Sequence, residues 1–232
     1  MPTATIQHVN ETSLIVYFDR EPNTDTSTMV RRGFMAIEQH LSQYVLDMIP
    51  SYHSILVTFN PESISGSLLQ TDIEKALEAA PFLGGAGANN RISIPVYYGP
   101  DVGWDIEDVA DQCALSVSEV IQLHTTMAYR VLAVGFSPGF GYLGETDPRL
   151  SMPRKNTPRL SVPAGCVAIS ERQTAVYPSS SPGGWHIIGR TPMVMFDWQQ
   201  SPPARLSVGD EVNFEPITKE EYIALGGQTD DA

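Results

Sequence analysis

Apolar residues in the first eighty positions fall into two patterns. Short apolar segments cover Ala4–Val9 and Ser13–Phe18, around Asn10-Glu11, and again Tyr44–Ile49 and His53–Phe59, on either side of Pro50-Ser51. Short apolar runs bounded by turn residues predict strands. Between the two pairs, Met29, Phe34, Ile37 and Leu41 recur near helical spacing. They follow a Thr-rich segment, Thr24–Thr28, which offers N-caps for a helix running to about Tyr44. Leu69, Ile73, Ala76 and Leu77 mark a second helix over Leu68–Ala80. The order ββαββα predicts an α+β two-layer sandwich over residues 1–80. Residues 81–90, PFLGGAGANN, read as a linker. Their glycines make no G-x-G-x-x-G and follow no strand, which argues against a dinucleotide loop.

A second pattern starts at Arg91–Tyr98, a predicted strand. Asp105–Ala114 and Ser116–Met127 read as two short helices, the second opened by a Ser116-x-x-Glu119 capping box. Val117, Val120, Ile121 and His124 share one face of it, so His124 is either a packed core histidine or a site residue at the helix end. Short strands with Gly/Pro corners follow: Tyr129–Gly135, Ser161–Ile169, Thr174–Tyr177, His186–Gly189, Met193–Phe196 and Glu211–Glu215. Ser207-Val208-Gly209-Asp210 reads as the tight turn into the last of them. Many short strands joined this way predict a mainly-β, closed or nearly closed barrel over residues 91–218, with a short helix in the tail 219–232.

Charge narrows the functional classes. The chain carries a formal net charge of −13. Such a charge repels nucleic acid and anionic membrane as main partners. No apolar run approaches a spanning helix, and the first residues show no secretory signal. Two cysteines, Cys113 and Cys166, make no disulfide framework. That fits a reduced, cytoplasmic compartment. His8, His40 and His53 lack metal-ligand spacing, and no metal site is expected.

One stretch departs from this balance. Arg130–Thr191 holds seven basic residues against three acidic ones, a local +4, together with eight of the 18 glycines and seven of the 18 prolines. A cationic surface shaped by Gly and Pro inside an acidic protein predicts a site for a small anion, a carboxylate or a phosphate. The competing reading is that these arginines tie loops together. Pro153-Arg154, Pro158-Arg159 and Gly189-Arg190-Thr191 set guanidinium groups on stiff or tight backbone, where their planar forks suit bidentate capture of a carboxylate. Gly183 and Gly184 let backbone approach a ligand closely, and Trp185 supplies either a flat apolar wall or a core anchor.

Two motifs lead nowhere. Gly135-Phe136-Ser137-Pro138-Gly139 satisfies G-x-S-x-G, but a nucleophile elbow needs the N–H of the residue after the serine, and Pro138 has none. No G-x-x-x-x-G-K-[ST] occurs. No ATP chemistry in this chain therefore rests on a P-loop. Cys166 lies within an apolar strand pattern and reads as buried rather than reactive.

Leu123-His124, GFSPGFGYLG (135–144), PR…TPRLSVPAG (153–165), QTAVYP (173–178), SPGGWHIIGRT (181–191), FD (196–197) and GDEVNF (209–214) occur in order across most of the second domain. In these segments the chain resembles the family of the 5-oxoprolinase B subunit, which is also that of the kinase A inhibitor KipI and of allophanate hydrolase subunit 1. Ala175 stands where the family's Q-T-G-x-Y-P run has glycine, and Cys166 where a small residue such as serine is common. The resemblance implies a cyclophilin-like β-barrel behind the α+β domain. It also implies a component that works with 5-oxoprolinase A and C subunits, the latter built on a related barrel, to open 5-oxoproline to glutamate at the expense of ATP. On that reading His124 and Tyr142 are the expected catalytic groups. Arg154, Arg159, Gly183, Gly184, Trp185, Arg190 and Thr191 are the expected substrate contacts, in one pocket.

The family also contains a protein that binds a sensor histidine kinase and blocks its autophosphorylation, and a related domain serves biotin-dependent urea amidolyase. The chain has no biotin-carrier or carboxylase domain, which ranks the last reading lowest. Enzyme component and kinase regulator stay open at this point; a neighbouring gene for a C subunit or for a sensor kinase would separate them.

Overall fold

The computed structural model describes residues 4–18, 24–80 and 90–229. The expected linker, 81–90, lies outside these residues except for Asn90. The chain divides into two compact units, one up to Asn89 and one from Asn90 onward.

In the first unit the elements are β1 (Thr5–Asn10), β2 (Ser13–Tyr17), α1 (Thr24–Leu41), β3 (Val45–Pro50), β4 (Ser54–Phe59) and α2 (Gly66–Ala79). The strands form an antiparallel sheet in the order β1-β2-β4-β3, and both helices pack on it. Leu14 and Val16 of β2 and Ile55, Val57 and Phe59 of β4 are buried against Val30, Ile37 and Leu41 of α1 and Leu69, Ile73 and Ala76 of α2. This is the expected two-layer sandwich, since each apolar face finds a partner only by stacking helices on one side of the sheet. Ser65 caps α2 by accepting from the Leu68 N–H, so the helix starts earlier than its apolar stripe.

The second unit holds β5 (Arg91–Val96), α3 (Ile106–Cys113), α4 (Val117–Thr126), β6 (Ala128–Val134), β7 (Gly141–Gly144), β8 (Arg159–Val162), β9 (Cys166–Ser170), β10 (Gln173–Val176), β11 (Ser181–Gly183), β12 (His186–Arg190), β13 (Glu211–Pro216) and α5 (Lys219–Ala224). Seven strands form one sheet in the order β12-β9-β10-β7-β6-β13-β5. Its two outer strands meet through Tyr97 and Arg190, whose backbone groups exchange hydrogen bonds of 2.9 and 2.8 Å. The sheet is therefore a nearly closed barrel. All its pairings are antiparallel except β13 with β5.

Side-chain alternation splits this sheet into two faces. Val167, Ile169, Val176 and Ile188 join the main core together with Ile106, Val109 and Val120 from α3 and α4. Cys166, Ala168, Ala175 and Ile187 face the other way, under Phe140, Val162, Tyr177 and Trp185. A separate two-stranded sheet, β8 with β11, lies over this second face and contributes Val162.

Three strand expectations differ from the structure. Ser161–Ile169 is two strands, not one, because Pro163 and Gly165 turn the chain between β8 and β9. Gly165 has φ +82°, and a Cβ there would meet the Thr191 carbonyl oxygen at 2.4 Å, so only glycine fits. Met193–Phe196 is not a strand; Phe196 makes only an isolated bridge to Ala204. β7 and β11 are additional, and glycines in both weaken their sequence signal.

Candidate functional site

The capping box predicted at Ser116 forms: its Oγ accepts from the Glu119 N–H at 3.3 Å, and Glu119 accepts from the Ser116 N–H at 2.8 Å. It aims α4 so that His124, near its end, enters the main core with no exposed surface. Thr174 donates its hydroxyl to the Ala168 carbonyl at 3.0 Å and so receives the Nε2–H of His124 at 2.8 Å. Nδ1 then accepts from the Tyr98 hydroxyl at 2.7 Å. Phe214 stacks on the ring at 4.5 Å. Burial pulls the imidazole down to about 3, so it stays neutral at physiological pH. Of the two readings left open by sequence, the structure has the packed histidine.

Two of the seven cationic residues, Lys155 and Arg159, meet on the other face of the sheet, around a residue the sequence does not single out; Arg130, Arg149 and Arg172 turn instead to the Gly209 carbonyl, Asp147 and Glu145. Gly103 lies so close to β12 that a Cβ would meet the Ile188 carbonyl oxygen at 2.5 Å. That approach seats Asp105 beside β12, where its N–H donates to the Ile187 carbonyl and its Oδ2 accepts from the Ile187 N–H, each at 2.8 Å. Asp105 immediately precedes α3, yet its carboxylate does not cap the helix. It turns to two cations instead. Arg159 grips it bidentately at 2.8 Å through both terminal nitrogens, and Lys155 Nζ reaches Oδ1 at 2.6 Å. Burial pushes the Asp105 carboxyl up. The bonds from Arg159, Lys155 and the Ile187 N–H outweigh that and hold it below its ordinary value. Its bond to Asp105 raises Arg159 further, so the guanidinium stays charged. Arg159 also lies over the Trp104 ring, 5.2 Å from its centroid.

Gly183 and Gly184 run beside this cluster. Gly184 accepts the Lys155 N–H at 2.8 Å, and Gly183 pairs with Arg159 between β11 and β8. A Cβ on Gly183 would meet the Tyr177 hydroxyl at 2.2 Å. Trp185 is buried and packs edge-on against Phe140 and Tyr142, with ring centroids 6.0 Å apart in both pairs. It is thus the core anchor, and half-exposed Trp104 is the aromatic surface beside the cations. Arg154 is exposed, and its charge is felt at Tyr177, whose hydroxyl burial pushes up to about 12.

Arg159, Gly183, Gly184, Trp185 and Tyr142 therefore share one region, with Arg154 at its edge. His124, Arg190 and Thr191 are not brought to it. Arg190 sits three residues beyond Ile187 on β12, roughly 10 Å along the strand. Its guanidinium donates to the carbonyls of Ala164 and Gln228 at 3.1 and 3.2 Å, tying a turn and the tail to the barrel seam. Thr191 is buried and accepts from the Met193 N–H at 3.1 Å. Asp105, Lys155 and Trp104 escape a reading of the sequence. Lys155 sits in Pro-Arg-Lys-Asn-Thr-Pro-Arg, between arginines with stronger cues. Trp104-Asp105 looks in sequence like an ordinary helix start.

The rejected G-x-S-x-G segment is a hairpin loop between β6 and β7, closed by Gly135 N–H to Phe140 O at 3.0 Å, with no helix after it. Phe136 holds φ +71° there. Cys166 is fully buried. Among the described residues no group of His, Cys, Asp and Glu could hold a metal ion, and no helix is long and apolar enough to cross a membrane.

A nearly closed barrel of this kind is the fold of carboxyltransferase-type domains. The chain belongs to the family described as carboxyltransferase domain, subdomain C and D, which matches residues 4–206. Within it, the chain is 37% identical to the B subunit of 5-oxoprolinase from Bacillus subtilis (strain 168), over 94% of this chain and 95% of that protein. It is 36% identical to the B subunit of 5-oxoprolinase from Escherichia coli O157:H7, over 93% of this chain and 97% of that one. Among solved structures, a conserved uncharacterized protein from Pyrococcus horikoshii matches 94% of this chain and 100% of its own, with 37% identity and a TM-score of 0.56. The urea carboxylase of Kluyveromyces lactis shares the fold at 18% identity and a TM-score of 0.74, over 96% of this chain and 22% of that one.

Proposed function

We propose that this chain is the B subunit of an ATP-dependent 5-oxoprolinase, opening 5-oxoproline to L-glutamate together with the A and C subunits. The observation that carries the reading is similarity over nearly the whole length to two relatives of that name, at 37% and 36% identity. The chemistry sets the requirement. A five-membered lactam is a poor electrophile because its nitrogen feeds the carbonyl. Transfer of the γ-phosphoryl group to the lactam oxygen releases ADP and makes the ring carbon attackable. Water adds there and the C–N bond opens to the amine, leaving an acyl phosphate; a second water cleaves that to the carboxylate and inorganic phosphate.

This chain's part is to hold and orient the substrate. Arg159, with Arg154 at the rim, supplies positive charge for the carboxylate, and Gly183 and Gly184 supply close backbone. Tyr142 lies beside the same region and brings a hydroxyl to it; His124, in the core, acts through packing. Among the described residues, the N-termini of α3 and α4 do not suit a triphosphate: they carry Asp105 with Glu107 and Asp108, and Glu119, whose charges oppose one. ATP is read as shared with the partner proteins of the complex. The same reading takes residues 1–80 and 91–218 as separate domains.

The test is 5-oxoproline-dependent ATP hydrolysis by the purified chain, alone and mixed with the A and C subunits of the same genome. The expected result is silence alone and turnover in the mixture. Full activity from the single chain, or none in the complete mixture, overturns the proposal.

A further inference from the structure

One bidentate arginine is enough to neutralise a buried carboxylate. Asp105 has two cations. Oδ1 accepts from Arg159 and Lys155, and Oδ2 accepts from Arg159 and the Ile187 N–H, so the carboxylate is saturated. The cluster is left with one surplus positive charge. Neither cation is sealed in: the side chains of Lys155 and Arg159 are 24% and 25% exposed. Lys155 directs one of its three N–H groups to Asp105, and Arg159 two of its five; the rest have no protein acceptor among the described residues. Half-exposed Trp104 carries the guanidinium on its ring and extends the site as a flat apolar surface. A purely structural tether would consume its cations. This one holds two of them side by side on one carboxylate, both partly exposed and with donors to spare.

We infer that Lys155 and Arg159, preset by Asp105 and flanked by Trp104, form a carboxylate-binding site that takes the carboxylate of a small cyclic amide. The inference rests on the 5-oxoprolinase reading for the identity of that amide, but not for the existence of the site. Lys155 and Arg159 touch the ligand. Asp105 is a positioning residue: it fixes both cations against their mutual repulsion and touches no ligand. A carboxylate fits better than a phosphate because the surplus is a single charge and the neighbouring surface is a flat ring.

Two measurements decide the matter. In the first, the purified full chain is titrated calorimetrically with 5-oxoproline, with 2-pyrrolidinone (the same ring without its carboxylate) and with inorganic phosphate. Binding of 5-oxoproline, weakened about tenfold or more by Lys155→Gln and restored by Lys155→Arg, is the expected result, a loss equivalent to one charge-assisted hydrogen bond. Equal binding of 2-pyrrolidinone, no binding of 5-oxoproline, or an unchanged Lys155→Gln variant overturns the site. Phosphate binding that depends on Lys155 while 5-oxoproline binding does not overturns the carboxylate assignment. In the second, the assembled complex is assayed against 5-oxoproline concentration. Lys155→Gln raises KM with little change in kcat, and Asp105→Asn raises KM in the same way. Lys155→Gln leaves the Arg159–Asp105 pair intact, so its thermal unfolding stays near that of the parent and the result is interpretable even where Asp105→Asn fails to fold. A parent complex that is inactive sinks the proposed function and leaves the calorimetry to judge the site; an active complex with unchanged KM in Lys155→Gln sinks the site alone.

Discussion

The buried His124 ties the stability of the barrel to pH. In the folded chain its imidazole titrates near 3, because burial disfavours the charged form; in the unfolded chain it titrates near 6.5. Between those two values the unfolded chain holds a proton that the folded chain refuses. Stability is therefore complete above about pH 6.5 and falls as the pH drops toward 3. At about 1.36 kcal/mol for each unit between the two pKa values, the loss reaches about 2 kcal/mol at pH 5. Against the roughly 5–15 kcal/mol of an ordinary domain this is easily measured. Urea unfolding of the purified chain, followed by circular dichroism at pH 7.5 and pH 5, reads it directly. His124→Gln removes the titrating group while keeping a donor for Thr174 and an acceptor for Tyr98. The variant starts out less stable but should lose about 2 kcal/mol less on acidification. The carboxyl of Asp105 is held low, so its contribution is lost only at more acid pH and does not confound this window. Equal pH dependence in parent and variant would refute the argument, as would a His124 resonance that titrates near 6.5 in the folded chain.

Two further outcomes follow from packing. Gly183→Ala places a methyl group where the Tyr177 hydroxyl lies 2.2 Å away, and overpacking of this kind costs about 1–3 kcal/mol, read as a lowered urea midpoint. Under native conditions a maleimide should modify half-buried Cys113 before fully buried Cys166; faster labelling of Cys166, found by peptide mapping, would mean that the second face of the sheet opens.

Elements with strong periodicity are legible in the sequence. The helices around Ile37 and Ile73 and the strands around Val16 and Val57 announce themselves by apolar spacing, and Ser116 and Glu119 mark a helix start that the structure keeps. β7 and β11 are not legible, because Gly141, Gly144 and Gly183 thin out the apolar signal. The break between β8 and β9 depends on Gly165 meeting the Thr191 carbonyl, a contact 26 residues away that no local pattern reports. The site is half legible. Arg159 stands out by its proline-stiffened setting, but its partner Asp105 lies 54 residues earlier at what looks like a helix cap. Arg190 carries the same sequence cues as Arg159 and ends on two backbone carbonyls at the barrel seam. The face on which each side chain lands depends on sheet register, and register is a property of the folded whole.

The position of β13 has a consequence for how the protein is made. It is the last strand of the barrel in sequence, yet it lies between β5 and β6, pairing with the first strand and the second. A ribosome delivers the chain from the N-terminus. Until Pro216 has emerged, β5 has no neighbour on that side and β6 shows an open backbone edge. The barrel therefore cannot zip up progressively during translation; it waits with two unpaired strand edges and an uncovered apolar interior. Such a nascent chain is a natural client for chaperones, and a ribosome stalled just short of residue 211 would release a product prone to aggregate rather than a smaller stable fold.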